Sequence, residues 1–305
     1  MNKKIIITGA TGFIGKKLSN VLIARGEQLI IFTRSIDKGK TEIPSAYEFV
    51  KWDYKNPHEW EKHLDGKDAV IHLAGANLYA KRWSEEYKKL IVESREISTK
   101  NIVAAIKKAN KKPSVLICPS GVNYYGDSGD TILTENSFNG NDFLASVCKR
   151  WEASAAEVEK TGVRRVSIRT APALSTEEGT LKEMLLPFKL FIGGSLGNGK
   201  QWFPWIHIDD LIGIYLYALD NDNLNGPVNG CAPNPVRMKE FAQTLGKILH
   251  RPSFFSVPKF ALKVVLGEFA ESITASLRVV PEKLNDMNYK FKFERLEEAL
   301  RDLLL

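Results

Sequence analysis

Along the first 170 residues, short apolar runs alternate with longer stretches whose apolar positions recur every three or four residues. Ile5-Ile6-Ile7 is β-branched throughout and reads as a strand buried on both faces, the pattern of a parallel sheet. An amphipathic helix follows from Ile14 to about Arg25, closed by Gly26. Gln28 to Phe32, Tyr47 to Trp52, Ala69 to Leu73, Ser114 to Cys118 and Val163 to Arg169 supply five more strands. Between them, long helical patterns run from about Ser84 to Ala109 and from about Asp142 to Lys160. Ser84, with glutamates downstream, is a helix-start signature. This alternation predicts an α/β fold, a doubly wound parallel sheet, over residues 1–170. Beyond that point the rhythm breaks. Gly193 to Gly199 is glycine-dense and expected to be mobile, and the tail from Pro252 to Leu305 is mostly helical by pattern. Residues 171–305 therefore read as a smaller C-terminal substrate lobe, from which about 205–230 return to the sheet domain.

The turn after the first strand adds chemistry. Thr8-Gly9-Ala10-Thr11-Gly12-Phe13-Ile14-Gly15 spaces its glycines three apart between an apolar strand and a helix start. Gly9 permits the tight turn, and Gly12 lets a pyrophosphate approach the amides of Thr11, Phe13 and Ile14 at the helix N-terminus. Gly15 lets that helix pack closely on the strand. This is the phosphate-binding turn of a dinucleotide-binding Rossmann sheet. The residue ending the second strand faces the adenosine ribose, where a carboxylate accepts from a 2′-hydroxyl and an arginine pairs with a 2′-phosphate. Thr33-Arg34-Ser35 stands there, with no acid before Asp37, which favours NADP(H) over NAD(H). Asp53, after the third strand, is placed either to meet the adenine edge or to cap the turn near Pro57. Small residues after the fourth strand, Ala74-Gly75-Ala76, let backbone approach the cofactor.

Composition narrows the class. A 44% hydrophobic and 26% charged chain is an ordinary globular one. The net charge of +7 comes from scattered residues, and the run Lys107, Lys108, Lys111, Lys112 ends a helix, where the dipole favours cations. Nucleic acid is therefore not an expected partner. No apolar segment approaches a membrane span, and the Lys3-Lys4 start lacks a cleavage site. Three scattered cysteines, Cys118, Cys148 and Cys231, suit a reducing cytoplasm, and five histidines without ligand spacing suggest no metal.

Together these stretches resemble the extended short-chain dehydrogenase/reductases, the NAD(P)-dependent epimerase/dehydratase family. The carriers are Thr8 to Gly15, His72-Leu73-Ala74-Gly75, Tyr125-Gly126-Asp127, Gly197-Asn198-Gly199-Lys200-Gln201 and Ile206-His207-Ile208-Asp209-Asp210-Leu211. Trp83, Glu93-Ser94-Arg95, Trp202 to Ile208 and the C-terminal tail look like an atypical "epimerase family protein" subgroup with a C-terminal domain of unknown function. The resemblance implies that Thr33, Arg34, Leu73, Ala74 and Arg95 touch the cofactor. Arg95 stands where the wider family tends to place an asparagine, and a guanidinium there could pair with phosphate or with an anionic substrate. A possible homodimer through the two long helices is also implied.

One departure limits the functional reading. Reductase chemistry in this family rests on a Tyr-x-x-x-Lys pair on the helix after the fifth strand, the lysine lowering the tyrosine pKa. Aligned on Glu152, this chain has Leu144 and Cys148 there; aligned on Ser146, it has Phe143 and Val147. Tyr47 and Lys51 have the spacing, but a strand holds them about 13 Å apart. Tyr124, Tyr125, Lys149 and Ser120 remain as candidate acid/base groups, with His207 or Asp209 assisting a chemistry that needs less proton relay. Lys81, Arg82, Trp83, Trp202 and Trp205 suggest a polar-aromatic pocket. The sequence thus supports an NADP(H)-dependent, epimerase-like oxidoreductase acting on a small molecule, or a non-catalytic NADPH-binding sensor.

Overall fold

The computed structural model describes residues 2–305. Seven parallel strands form the central sheet: β1 (Lys4–Thr8), β2 (Gln28–Thr33), β3 (Glu48–Lys51), β4 (Ala69–His72), β5 (Val115–Gly121), β6 (Arg164–Thr170) and β7 (Gly226–Gly230). Their spatial order is β7-β6-β5-β4-β1-β2-β3, so the winding reverses between β1 and β4. At such a reversal the two outgoing loops part and leave a crevice at the carboxyl ends of the strands.

The helices are α1 (Phe13–Ala24), α2 (Ile36–Glu42), α3 (Glu85–Lys108), α4 (Phe143–Ala156), α5 (Thr180–Lys189) and α6 (Ile208–Asp220). Then come α7 (Met238–Leu249), α8 (Lys259–Leu266), α9 (Phe269–Ile273), α10 (Glu282–Asp286) and α11 (Leu296–Leu304). Successive side chains of a strand leave by opposite faces, so the isoleucine run of β1 feeds two cores. Ile5 and Ile7 pack with Leu18 and Leu22 of α1 and with Leu211, Ile214 and Tyr215 of α6. Ile6 packs on the other face with Ile102 and Ile106 of α3 and with Ala155 of α4. A separate lobe core gathers Leu181 and Phe188 of α5, Trp205, Phe241 of α7 and Leu300 of α11.

Three details depart from the sequence expectation. Helix α2 was not legible: its seven residues carry no apolar stripe, and it starts because the Ser35 side chain accepts from the Lys38 N–H. The Gly193–Gly199 stretch is held rather than free. Gly194–Leu196 pairs in parallel with Phe255–Val257, so tightly that a Cβ on Gly194 would lie 1.4 Å from the Phe255 carbonyl oxygen. The tail is helical only in part, since Arg278–Val279 pairs in extended form with Ile132–Leu133.

Candidate cofactor and substrate site

The crevice is built by glycines whose missing side chains are each accounted for. Gly9 adopts a left-handed φ of 69°, and a Cβ there would sit 2.8 Å from the Ala74 nitrogen. A Cβ on Gly15 would meet the Gly9 carbonyl oxygen at 2.2 Å, so α1 lies directly on the turn. Gly12 caps α1 without a side-chain oxygen, and no acidic residue occupies the first turn. The N–H groups of Phe13 and Ile14 therefore begin the helix without a side-chain partner, and the positive end of its dipole stays uncompensated.

The floor is fixed by a buried polar chain: Thr8, His72 and Ser94 carried the family resemblance, but their linkage through Ser98 was not legible in the sequence. Thr8 Oγ1 lies 2.7 Å from His72 Nδ1 and accepts from the Ala74 N–H at 3.2 Å. His72 Nε2 lies 3.0 Å from Ser98 Oγ, which donates to the Ser94 carbonyl; Ser94 Oγ in turn accepts from the Ala76 N–H. These bonds tie the ends of β1 and β4 to α3 and hold Leu73 to Ala76 in place. Complete burial pushes the His72 pKa down to about 3, so the ring is neutral. The signal available was a lone histidine ending an otherwise apolar strand.

At the end of β2, Arg34 is exposed and forms no ion pair among the described residues. Beside it Thr33 Oγ1 and the Ser35 backbone bond to each other. Asp53 is already engaged: one carboxylate oxygen accepts from the Lys55 N–H and the other from the Asn56 amide, which makes it the cap of a turn.

The acid/base candidates separate. Ser120 Oγ donates to Glu152 Oε1 at 2.7 Å. Glu152 also takes Arg169 through both oxygens, at 2.9 and 2.8 Å. Tyr125 is buried; its hydroxyl donates to Asn229 Oδ1 and accepts from Arg169, and burial raises its pKa. It joins β6 to β7 and is a structural group. Lys149 is exposed, one residue from Cys148, whose thiol burial raises to about 11. Tyr124 is half-buried with its ring 3.5 Å from the Arg169 guanidinium carbon, and its hydroxyl has no hydrogen-bond partner among the described residues. Of these candidates, Tyr124 alone keeps an uncommitted phenol. Leu144 and Cys148 are both buried on α4.

The other features are engaged in packing or in ion pairs. Trp205 is core, its indole donating to the Asn234 carbonyl, and Trp202 is stacked between Arg237 and Arg278. Trp83 packs between Phe143 and Phe269, joining α4 to α9, while Lys81 and Arg82 are exposed on the loop before it. His207, Asp209 and Asp302 converge within 4.8 Å. Yet His207 Nδ1 accepts from the Asp209 N–H, so Nε2 carries the proton of the neutral ring and offers no lone pair. Lys17 and Lys292 occupy the two oxygens of Asp209. Asp210 accepts from the N–H groups of Lys292 and Phe293 at 2.7 and 2.9 Å. This segment is a clasp for the C-terminal chain.

Residues 5–229 match the model of the NAD dependent epimerase/dehydratase family. The chain belongs to that family. Residues 257–303 match a second model, a domain of unknown function. The chain is 40% identical over 302 residues to the "Epimerase family protein SDR39U1 homolog, chloroplastic" of Arabidopsis thaliana, covering 98% of this chain and 86% of that one. It is 36% identical to the "Epimerase family protein YfhF" of Bacillus subtilis, over 98% and 97% of the two chains. Among solved structures, the human epimerase family protein SDR39U1 (isoform 2), determined with NADPH, superposes with a TM-score of 0.87 at 32% identity, covering 98% of each chain. No helix among the described residues is long and apolar enough to cross a membrane.

Proposed function

We propose that this member of the epimerase/dehydratase family binds NADPH in the crevice between β1 and β4. There it acts as an epimerase-like oxidoreductase on a small-molecule substrate. The carrying observation is the pairing of two unmet positive features one strand apart. One is the α1 N-terminus, bare of any side-chain cap; the other is Arg34, exposed without an acidic partner. The first suits a pyrophosphate and the second a 2′-phosphate. The NADPH bound to the human relative supports the same reading. Calorimetry tests it: NADPH should bind, and Arg34→Asp should weaken NADPH by about 10- to 100-fold, the worth of a charge-assisted contact, while changing NADH little. Equal losses for both nucleotides would remove the 2′-phosphate assignment.

A second reading, a sensor that binds NADPH without turnover, is favoured by the α4 sequence, which offers Leu144 and Cys148, or in the other register Phe143 and Val147, for the family's tyrosine and lysine. Following NADPH absorbance over a panel of carbonyl compounds and sugar nucleotides separates the two. Turnover that scales with protein and falls at least tenfold in Tyr124→Phe supports the enzyme. Binding without turnover across the panel supports the sensor.

A further inference from the structure

Ten of the sixteen large apolar side chains left exposed among the described residues fall in two short runs, 186–192 and 254–265. The runs are distant in sequence and joined in space. Gly194–Leu196, directly after the first, pairs with Phe255–Val257 inside the second. Arg251, just before the second run, lays its guanidinium carbon 4.4 Å from the centroid of the Phe191 ring. The two runs therefore form one apolar face on the lobe.

Neither run gains from its exposure in the isolated chain. Helix α8 buries only Leu262, whereas Phe260, Val264 and Val265 are each at least 70% exposed. A surface helix ordinarily turns its apolar stripe inward. Phe191, just past the end of α5, holds a φ of 63°, a left-handed conformation costly for a bulky side chain, and its ring is exposed rather than packed in the core. A contiguous apolar face of this kind marks a surface that something covers.

Charge indicates by what. Residues 251–265 carry Arg251, Lys259 and Lys263 and no carboxylate, and residues 184–192 carry Lys189 and no carboxylate. Of these four cations, Lys263 alone has a carboxylate partner among the described residues, Glu271 of α9 at 3.1 Å. Glu268, two residues past α8, is taken by Lys88. A second copy seated by a two-fold axis would set these cations against themselves, on a chain whose net charge is already +7. A folded acidic partner needs directional contacts, yet the only uncharged polar side chains from 251 to 265 are Ser253 and Ser256. An anionic bilayer needs none. Phenylalanine and valine enter at the depth of the headgroups, and the lysine and arginine stems lie along them while the charged ends reach lipid phosphate.

We propose that this face docks the protein on an anionic lipid bilayer, with α8 lying in the plane of the surface rather than crossing it. The proposal goes beyond the nucleotide reading and does not depend on it.

The test sediments the full chain with vesicles of equal parts phosphatidylglycerol and phosphatidylcholine, and with vesicles of phosphatidylcholine alone. The chain should pellet with the first, only weakly with the second, and less as salt rises. Lys189→Glu with Lys259→Glu should lower the partition at least about tenfold, since one cation near the surface is worth roughly fivefold. Phe260→Ser with Val264→Ser should lower it comparably and abolish insertion into a phosphatidylglycerol monolayer, read as surface pressure. Phe138→Ser, at an exposed phenylalanine outside the face, should change neither. All these side chains are exposed, so the circular dichroism of each variant should match that of the wild type. Failure of the wild type to pellet with phosphatidylglycerol vesicles would overturn the proposal. Pelleting undiminished by the two serines would overturn it as well, leaving a general charge effect. A dimer in sedimentation velocity that the serines break, without vesicle binding, would give the face to a second copy. Capture by polyglutamate with vesicles left unbound would give it to an acidic protein.

Discussion

His72 shows at the scale of one residue how the crevice constrains the pH response. The ring is neutral because burial holds its pKa at about 3, whereas the unfolded chain restores the ordinary value of 6.5. Below pH 6.5 the unfolded state takes up a proton that the folded state refuses, so stability falls as pH falls, down to about pH 3. Between pH 7.5 and 5.5 this single site should remove about 1.4 kcal/mol of stability, seen as a lower urea midpoint. The slope should be smaller in His72→Asn, whatever that variant's absolute stability. In NMR, the His72 ring protons should show no inflection above about pH 4. An inflection near 6 would mean that the Thr8–His72–Ser98 chain opens and that the floor of the crevice is not fixed. Arg34 makes the opposite case. Its consequence is read in ligand affinity alone, because an exposed side chain with no partner contributes little to folding.

At the scale of elements, the clasp between α6 and the C-terminal chain carries the sharpest expectation. The Asp210 carboxylate is buried and spends both oxygens on the Lys292 and Phe293 N–H groups. Asp210→Ala should strand two donors and cost about 2–4 kcal/mol. Hydrogen exchange of the segment around Lys292 and Phe293 should accelerate before that of β1 or β4. Asp210→Asn, which keeps one carbonyl acceptor, should lose less. Uniform acceleration across the sheet would show that the clasp is not a separate local unit. This clasp was partly legible in the sequence. The His-x-Asp-Asp run was visible, but its partners lie about 80 residues onward and only the fold brings them together. The strand–helix alternation through Arg169 was legible because the central strands β1, β2, β4 and β5 carry continuous apolar runs and each long helix has one stripe. Helix α2 was not, having a cap and no stripe. The glycines at 9, 12 and 15 announced their role because backbone approach leaves no substitute for glycine. The stretch at 193–199 has the same composition and a different reason: Gly194 is small so that another strand can approach it, and nothing local distinguishes that from mobility. Tyr125 looked available because the Asn229 and Arg169 that occupy its hydroxyl are distant in sequence.

At the scale of the whole molecule, the question is whether sheet and lobe unfold as one. Two polar, part-buried links cross between them, both anchored on a buried polar group of the sheet part. Glu135 accepts from the Asn229 N–H of β7 and from the Lys283 N–H of α10, at 2.9 and 3.3 Å. The Asn229 side-chain amide donates to the Val280 carbonyl, and its oxygen receives the Tyr125 hydroxyl. Arg169 then passes from this group to Glu152 on α4. Breaking the lobe away would break the Glu135–Lys283 and Asn229–Val280 bonds and also strip Leu277, Val279 and Leu284 from the core they share with the sheet, at about 1–3 kcal/mol for each unmet polar group and each apolar side chain, against a total stability of about 5–15 kcal/mol. Heating should therefore give one cooperative transition. A ligand that binds the sheet crevice must then stabilise residues 257–303 equally, although they are remote in sequence from the glycine turn. NADPH at about 100 times its Kd should add about 2.7 kcal/mol and raise the midpoint of that single transition by about 5 °C. NADH at the same concentration should raise it less, because Arg34 meets a hydroxyl instead of a phosphate. Two transitions, with NADPH moving only one, would mean that the Glu135–Asn229–Arg169 group does not couple the parts, and that the lobe closes on the crevice as an independent body.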